Sequence, residues 1–330
     1  MTPRLLRETA AATALAALPV LAAPIAAAQS DVDAPRAVAT VGMVADVAAR
    51  VAGECARVDT MMGPGIDPHL YQPTASDVRD LVAADLLLYV GNNLEGQLGA
   101  VLARLEGQKP AIPVSERAIP DDRLIHSEDE DYADPHVWMD VSLWALTVPV
   151  LADALAEITP DCADGIGTRA KAYGEALDAL HDWVGESVAS VPAEARLLVT
   201  AHDAFAYYGR AYGIEVVGIQ GVSTEAEAGI GDIRSVVDLV VSRSVPALFV
   251  ESTINPRTVE AVIAAAADRG HALRLGGELF SDAMGEPGTP GGSYAGMIVE
   301  NTRAVVDALG GTPAALPEPV AAELDRASQG

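Results

Sequence analysis

PDCADGIGTRAKAYGEALDALHDWVGESVASVP (160–192) holds no strand-like run and predicts one long helix. Tyr173, Leu177, Leu180 and Val184 recur in it at helical spacing, Asp161 is placed to cap its start, and Pro192 closes its end. On either side, short apolar runs alternate with helical segments. VATVGMV (38–44), RVDTMM (57–62), LLLYV (86–90) and AIPVS (111–115) read as strands before it, with helices over 45–52, 74–84 and 94–105. After it come RLLVT (196–200), IEVVGI (214–219), ALFVE (247–251) and HALRLG (271–276), with helices ending at Tyr212 and Arg243 and spanning 256–269 and 293–309. Such alternation means parallel βαβ units. The expected fold class is therefore α/β, with two βαβ lobes, each with a parallel sheet, joined by a single helix. The expected boundaries are an N-terminal lobe over 29–158, the linking helix over 159–192, a C-terminal lobe over 193–316 and a polar, loosely held tail over 317–330.

The chain has 330 residues, of which 50% are hydrophobic and 21% charged, which excludes intrinsic disorder and allows a sizeable core. Its 21 Lys and Arg stand against 47 Asp and Glu, a net charge of −26. Binding a polyanion takes its free energy from basic side chains, so a nucleic-acid partner is not expected and cations are. Arg4 and Arg7 run into an apolar, alanine-rich stretch from Thr9 to Ala28 that ends in small residues, the pattern of a secretory signal peptide over 1–28, cleaved near Ala28. Pro19 and Pro24 interrupt the stretch, which argues against a transmembrane anchor. No cysteine follows it, so a lipid anchor is not encoded at that junction. No other apolar run reads as long enough to span a bilayer, so no direct membrane insertion is expected, and the expected compartment is an oxidising one outside the cytoplasm. There, Cys55 and Cys162 could form one disulfide or remain two isolated small residues.

Two segments echo each other: GIDPHLY (65–71), with His69, and YADPHVW (132–138), with His136. Proline fixes its own φ and drives the preceding Asp to an extended conformation, so each histidine leaves a stiffened loop. LVTAHDAFAYYG (198–209) places His202 at the carboxyl end of a strand, the edge at which ligands bind in open α/β sheets. GGELFSDAMG (276–285) puts Asp282 in a glycine-flanked loop after the last strand. The four are 67, 66 and 80 residues apart and come from four connections, two per lobe, so they can meet only in the cleft between lobes. Three imidazoles and one carboxylate suit Zn²⁺ in tetrahedral geometry and can also hold Mn²⁺. Asp67, Asp134 and Asp203 lie beside these histidines and, with Glu251 at the end of ALFVE, are candidates to orient imidazoles from outside. Taken singly, a histidine on an α/β protein is more often a hydrogen-bonded core or surface residue than a ligand; the repeated Asp-Pro-His and the loop placement favour the metal. His181 and His271 are read as structural, and Trp138, Trp144 and Phe205 as packing around the site.

GPGIDPHLYQPTASD (63–77), DPHVWMD (134–140), AHDAFAYYGRAYGIEVVGIQGVSTEAEAG (201–229), FVESTI (249–254) and GGELFSDAMG resemble, in family order, segments of the periplasmic zinc- and manganese-binding proteins of ABC importers, the TroA/ZnuA-like cluster A-I solute-binding family. The resemblance covers nearly the whole chain after residue 28 and is closest to the TroA subtype. It implies metal ligands at His69, His136, His202 and Asp282, a rigid linking helix, and partners in an ABC permease and its ATPase, with the chain itself a monomer. It implies Zn(II) as transported ligand, with Mn(II) the alternative. Strongly manganese-selective relatives tend to have glutamate at the third ligand position, where this chain has His202. ZnuA-type relatives often carry a long histidine-rich loop before the second ligand; here only HSEDEDYAD (126–134) stands there, either an aid to metal capture or a solvated acidic loop.

Four protein ligands close a tetrahedron, whereas catalytic zinc keeps a position open, so binding rather than catalysis is expected. No HExxH pair or phosphate-binding GxxxxGK[ST] occurs, and GGSYAG (291–296) misses the GxSxG spacing. An exported zinc-dependent hydrolase is the alternative from another class. A metal-binding adhesin-like surface protein is a third, against which the missing lipid anchor counts.

Overall fold

A computed structural model describes residues 34–126 and 131–328. The signal segment expected over 1–28 and its cleavage near Ala28 lie outside the described residues, as does 127–130 of the acidic loop. In chain order the N-terminal lobe comprises β1 (Arg36–Val41), α1 (Gly42–Ala52), β2 (Arg57–Met62), α2 (Ala75–Ala83), β3 (Leu86–Tyr89), α3 (Gly99–Glu106), β4 (Ala111–Pro113), α4 (Val114–Ala118), α5 (Val141–Trp144) and α6 (Thr147–Ile158). The linking helix is α7 (Ala163–Ala189). Beyond it lie β5 (Leu197–His202), α8 (Ala206–Tyr212), β6 (Glu215–Gln220), α9 (Ile230–Ser242), β7 (Ala247–Glu251), α10 (Arg257–Asp268), β8 (Arg274–Leu279), α11 (Tyr294–Ala308) and α12 (Glu318–Ala327).

The first lobe has a four-stranded sheet in the order β2-β1-β3-β4, parallel throughout. The second pairs β5 with β6 and β7 with β8, again parallel, and β5 lies beside β7. All strands therefore deliver their carboxyl ends toward one edge of their lobe, where the connecting loops gather. Several sequence boundaries shift; AIPVS, for one, is strand only to Pro113, with α4 beginning at Val114. Helix α1 begins at Gly42, so VATVGMV is strand only to Val41. The last strand starts at Arg274, three residues after His271, whose imidazole instead meets the Val245 carbonyl at 2.8 Å. A 3₁₀ turn over Pro160–Cys162 precedes α7, so Asp161 lies inside that turn and is not the cap of the long helix.

At 27 residues α7 is about 40 Å long at 1.5 Å rise per residue. Its glycines, among them Gly167 and Gly174, each weaken helix propensity by about 1 kcal/mol. Packing holds it: Ile166, Ala170, Tyr173, Leu177, Leu180, Val184 and Val188 form a buried stripe at helical spacing. This stripe meets α1, α5 and α6 on one side and α8, α11 and α12 on the other. One core consequently runs through the helix from Val44 and Leu151 to Phe249 and Ile298. Cys55 and Cys162 are joined in a disulfide that pins the end of α1 to the approach to α7. Arg169 strengthens that corner, donating to the Val51 and Ala52 carbonyls at 2.8 and 2.7 Å.

Two expectations are corrected. Val141–Ile158 is, by length and composition, apolar enough to cross a membrane, contrary to the expectation of no such run; half of it is buried inside the fold, against α1 and α7. The tail from Pro317 is not loosely held: it forms α12, which inserts Val320 into the core and pairs Glu323 with Arg50 of α1. Its polar composition hid a helix that needs only one buried side and one ion pair to dock. Removing two buried methyls in Val320→Ala costs about 1.5 kcal/mol and lowers the melting temperature by about 2–5 °C, whereas the exposed Ser328→Ala leaves it unchanged. A thermal melt in which neither variant shifts contradicts the docked helix.

Candidate metal centre

The four singled-out residues come together. His69 follows β2, His136 lies in the long connection before α5, His202 ends β5 and Asp282 follows β8. One ligand atom from each lies within 4.8 Å of all the others. All four side chains are buried, His69 the least so at 3% exposure. His136 Nε2 stands 3.4 Å from His69 Nε2 and 3.2 Å from Asp282 Oδ1, and His202 Nε2 stands 3.2 Å from Asp282 Oδ2. The remaining contact, His69 Nε2 to Asp282 Oδ2, is wider at 3.9 Å. A tetrahedron with metal–ligand bonds of about 2.0–2.1 Å has edges of about 3.3–3.4 Å, so the spacing fits a divalent ion bound at the centre. Both Asp282 oxygens are buried without a hydrogen-bond partner among the described residues, which an ion would satisfy.

Local sequence explains the aim of each imidazole. In both Asp-Pro-His loops the Asp Oδ1 accepts the main-chain N–H of the histidine two residues on, at 2.9 Å for Asp67 to His69 and for Asp134 to His136. The loops are thus Asx turns as well as proline-stiffened ones, a signal the D-x-H spacing already carries. Asp134 Oδ1 lies in addition 2.8 Å from His136 Nδ1, directing Nε2 at the cleft. Glu251, at the end of β7, does the same from the neighbouring strand: Oε2 lies 2.5 Å from His202 Nδ1, and Oε1 accepts the His202 main-chain N–H at 2.8 Å.

The other two outer carboxylates differ from expectation. Asp67 grips main chain rather than a ring, and its Oδ2 accepts a hydrogen bond from the Thr224 hydroxyl at 2.6 Å. Asp203 lines a groove with Gln220, Ala226 and Asp232, and burial together with the nearby Asp134 carboxylate raises its own carboxyl above the usual range. The main chain at Asp203 passes so close to β6 that a Cβ on Gly218 would sit 2.5 Å from the Asp203 nitrogen; glycine is required there.

Trp138, edge-on to His136 at 5.2 Å, donates its indole N–H to the Ser281 carbonyl at 2.9 Å, tying the His136 loop to the Asp282 loop. Tyr207 of α8 donates to the Asp134 carbonyl at 2.9 Å. Trp144 and Phe205 pack as expected, without polar roles at the site. His181 meets the Tyr212 hydroxyl at 3.1 Å on α7, a structural position. His126 is exposed, 3.2 Å from Asp121 and outside the cluster.

Electrostatics divide the three imidazoles. Burial pushes His69 down to about 4, so it is neutral at pH 7. Burial also opposes charge on His136, but the Asp134 and Asp282 carboxylates outweigh it and hold this imidazole up at about 9. His202 is likewise raised well above the usual imidazole range, burial being outweighed by Glu251 and Asp282. Asp282 is held well below the ordinary carboxylate range: burial is overcome by the facing His202 and His136. Without an ion, protons on His136 and His202 offset part of the charge of Asp134, Asp282 and Glu251; a bound cation must displace them. The sign follows directly. Apparent affinity for a divalent metal rises with pH until His136, held up at about 9, and His202, raised well above the usual imidazole range, have both lost their protons, and uptake at pH 7 releases close to two protons per ion. Calorimetric titration in buffers of different ionisation enthalpy measures that number, and a binding heat independent of buffer contradicts the assignment.

The sequence of the family described as "Zinc-uptake complex component A periplasmic" matches residues 37–308. The chain is 44% identical over 275 residues to the zinc-binding protein TroA of Treponema pallidum (strain Nichols), covering 83% of this chain and 89% of that protein. It is 41% identical over 271 residues to the manganese-binding lipoprotein MntA of Bacillus subtilis (strain 168), covering 82% and 88%. Among solved structures, the periplasmic zinc-binding protein TroA from Treponema pallidum superimposes with a TM-score of 0.82, spanning 84% of this chain and 99% of that one.

Proposed function

The chain belongs to the periplasmic zinc-uptake component A family, and from that membership and its buried His₃Asp cluster we propose that it captures Zn(II) and delivers it to the permease and ATPase of an ABC-type metal importer. The observation that carries this reading is the convergence of four ligand atoms from both lobes at tetrahedral spacing, buried and with the carboxylate otherwise unpaired. His69, His136, His202 and Asp282 are the metal ligands, with Asp134 and Glu251 fixing two of the imidazoles. The metal is cargo. The linking helix over 159–192 divides an N-terminal capture lobe from a C-terminal one, and the protein works as an exported monomer in the periplasm after cleavage near Ala28. Four closing ligands suit binding better than hydrolysis, which needs an open position, so the reading is of a carrier and not an enzyme.

Zinc is favoured by the nitrogen-rich donor set, since such sites follow the Irving–Williams order. A second reading, Mn(II), draws on the two Asp282 oxygens, each 3.2 Å from a different imidazole nitrogen: a bidentate carboxylate raises the coordination number toward what manganese prefers. Calorimetric titration of the metal-stripped chain is expected to give one zinc per chain, with zinc displacing manganese in competition. His69→Ala is expected to lower zinc affinity by more than about 100-fold, beyond the range for an outer partner. An unchanged affinity and stoichiometry in that variant overturns the site.

A further inference from the structure

His136 and His202 are each braced at Nδ1 by a carboxylate of their own surroundings, Asp134 and Glu251. His69 is held through its main chain, by Asp67 Oδ1. The second oxygen of that same carboxylate accepts the 2.6 Å hydrogen bond from Thr224, whose loop belongs to the opposite lobe, between β6 and α9. Thr224 is buried, and its loop is fastened by the Gln220 side-chain amide, which donates to the Ala226 carbonyl at 2.9 Å. The two walls press together here: a Cβ on Gly96 would sit 3.2 Å from the His69 carbonyl and 3.4 Å from Glu225 Oε1. Around His69 the chain reaches the surface, with Ile66 40% and Leu70 51% exposed, so this ligand can move without opening the core. His136 has no such freedom, lying between Trp138, Tyr207 and the Asp282 loop.

We propose that Asp67 and Thr224 form a clasp across the cleft that positions His69 on the metal, so that His69 is the first ligand to leave and the clasp sets the rate of metal release. The inference rests on the metal-carrier reading and adds the route by which the cargo departs. One carboxylate serves both bonds: when the C-terminal loop withdraws Thr224, Asp67 loses the contact that fixes its orientation, and the main-chain grip on His69 slackens with it. The other three ligands remain braced inside the core. Asp67 and Thr224 are positioning residues, since neither offers an atom to the ion.

Stopped-flow release of zinc to a chromogenic chelator tests this on the full chain, with Thr224→Val removing the hydroxyl at constant shape and Thr224→Ser retaining it. Circular dichroism and the metal-free melting temperature report folding separately. Thr224→Val is expected to release zinc about 10-fold faster or more, as for loss of an outer partner, with the circular dichroism of the metal-free chain unchanged. Thr224→Ser is expected to release at nearly the wild-type rate. A Thr224→Val rate within twofold of wild type overturns the clasp, as does equal acceleration in both variants, which traces the effect to loop packing. If the wild-type chain itself takes up no zinc or manganese, the carrier reading fails and the clasp with it, a result plainly different from a metal-binding chain whose release ignores Thr224.

Discussion

The Asp282 carboxylate is buried where the two lobes face each other, and the molecule has to compensate that charge. Removing an ion of this size from water costs several kcal/mol even after relaxation, so the carboxylate persists only if partners surround it. His136 from one lobe and His202 from the other stand within 3.2 Å of its two oxygens. Asp134 and Glu251 in turn stand behind those imidazoles, forming a chain of alternating charge that crosses the cleft. Either two protons or one divalent ion can balance it. For a metal carrier, as proposed, exchange between those two fillings would be the chemistry of loading and unloading.

That exchange needs a frame which does not collapse when the filling changes. The linking helix supplies it through a buried stripe shared by both lobes, so that a single core passes from one side to the other. The Cys55–Cys162 disulfide and the Arg50–Glu323 pair fasten α1 to the helix and to the C-terminal segment on the flank away from the metal. Wide hinge motion would tear this core, so change is confined to small tilts and to the surface loops around His69.

Much of this was legible in the residues. The periodicity of 160–192 and the βα alternation around it announce two lobes and a spine, because a long helix between strands has nowhere else to go. The repeated Asp-Pro-His and the placement of His202 and Asp282 at strand ends single out the four residues that cluster, and Glu251 is found by the same strand-end argument. Other features depend on three-dimensional neighbours. Asp203 directly follows His202 and also lines a neighbouring groove, while Asp67 bonds to Thr224, which lies 157 residues along the chain. The α12 segment looked like a polar tail because one buried valine and one ion pair leave almost no mark on composition. Whether the two cysteines pair is equally a matter of distance, which spacing in sequence does not encode.

Anomalous diffraction at the zinc absorption edge, from crystals of the zinc-loaded chain, addresses the central claim most directly. The account predicts a single strong peak per molecule at the centre of the cluster, about 2.0–2.1 Å from the Nε2 atoms of His69, His136 and His202 and from an oxygen of Asp282. A peak elsewhere on the molecule, or one bonded to fewer than these four residues and completed by water, would contradict it.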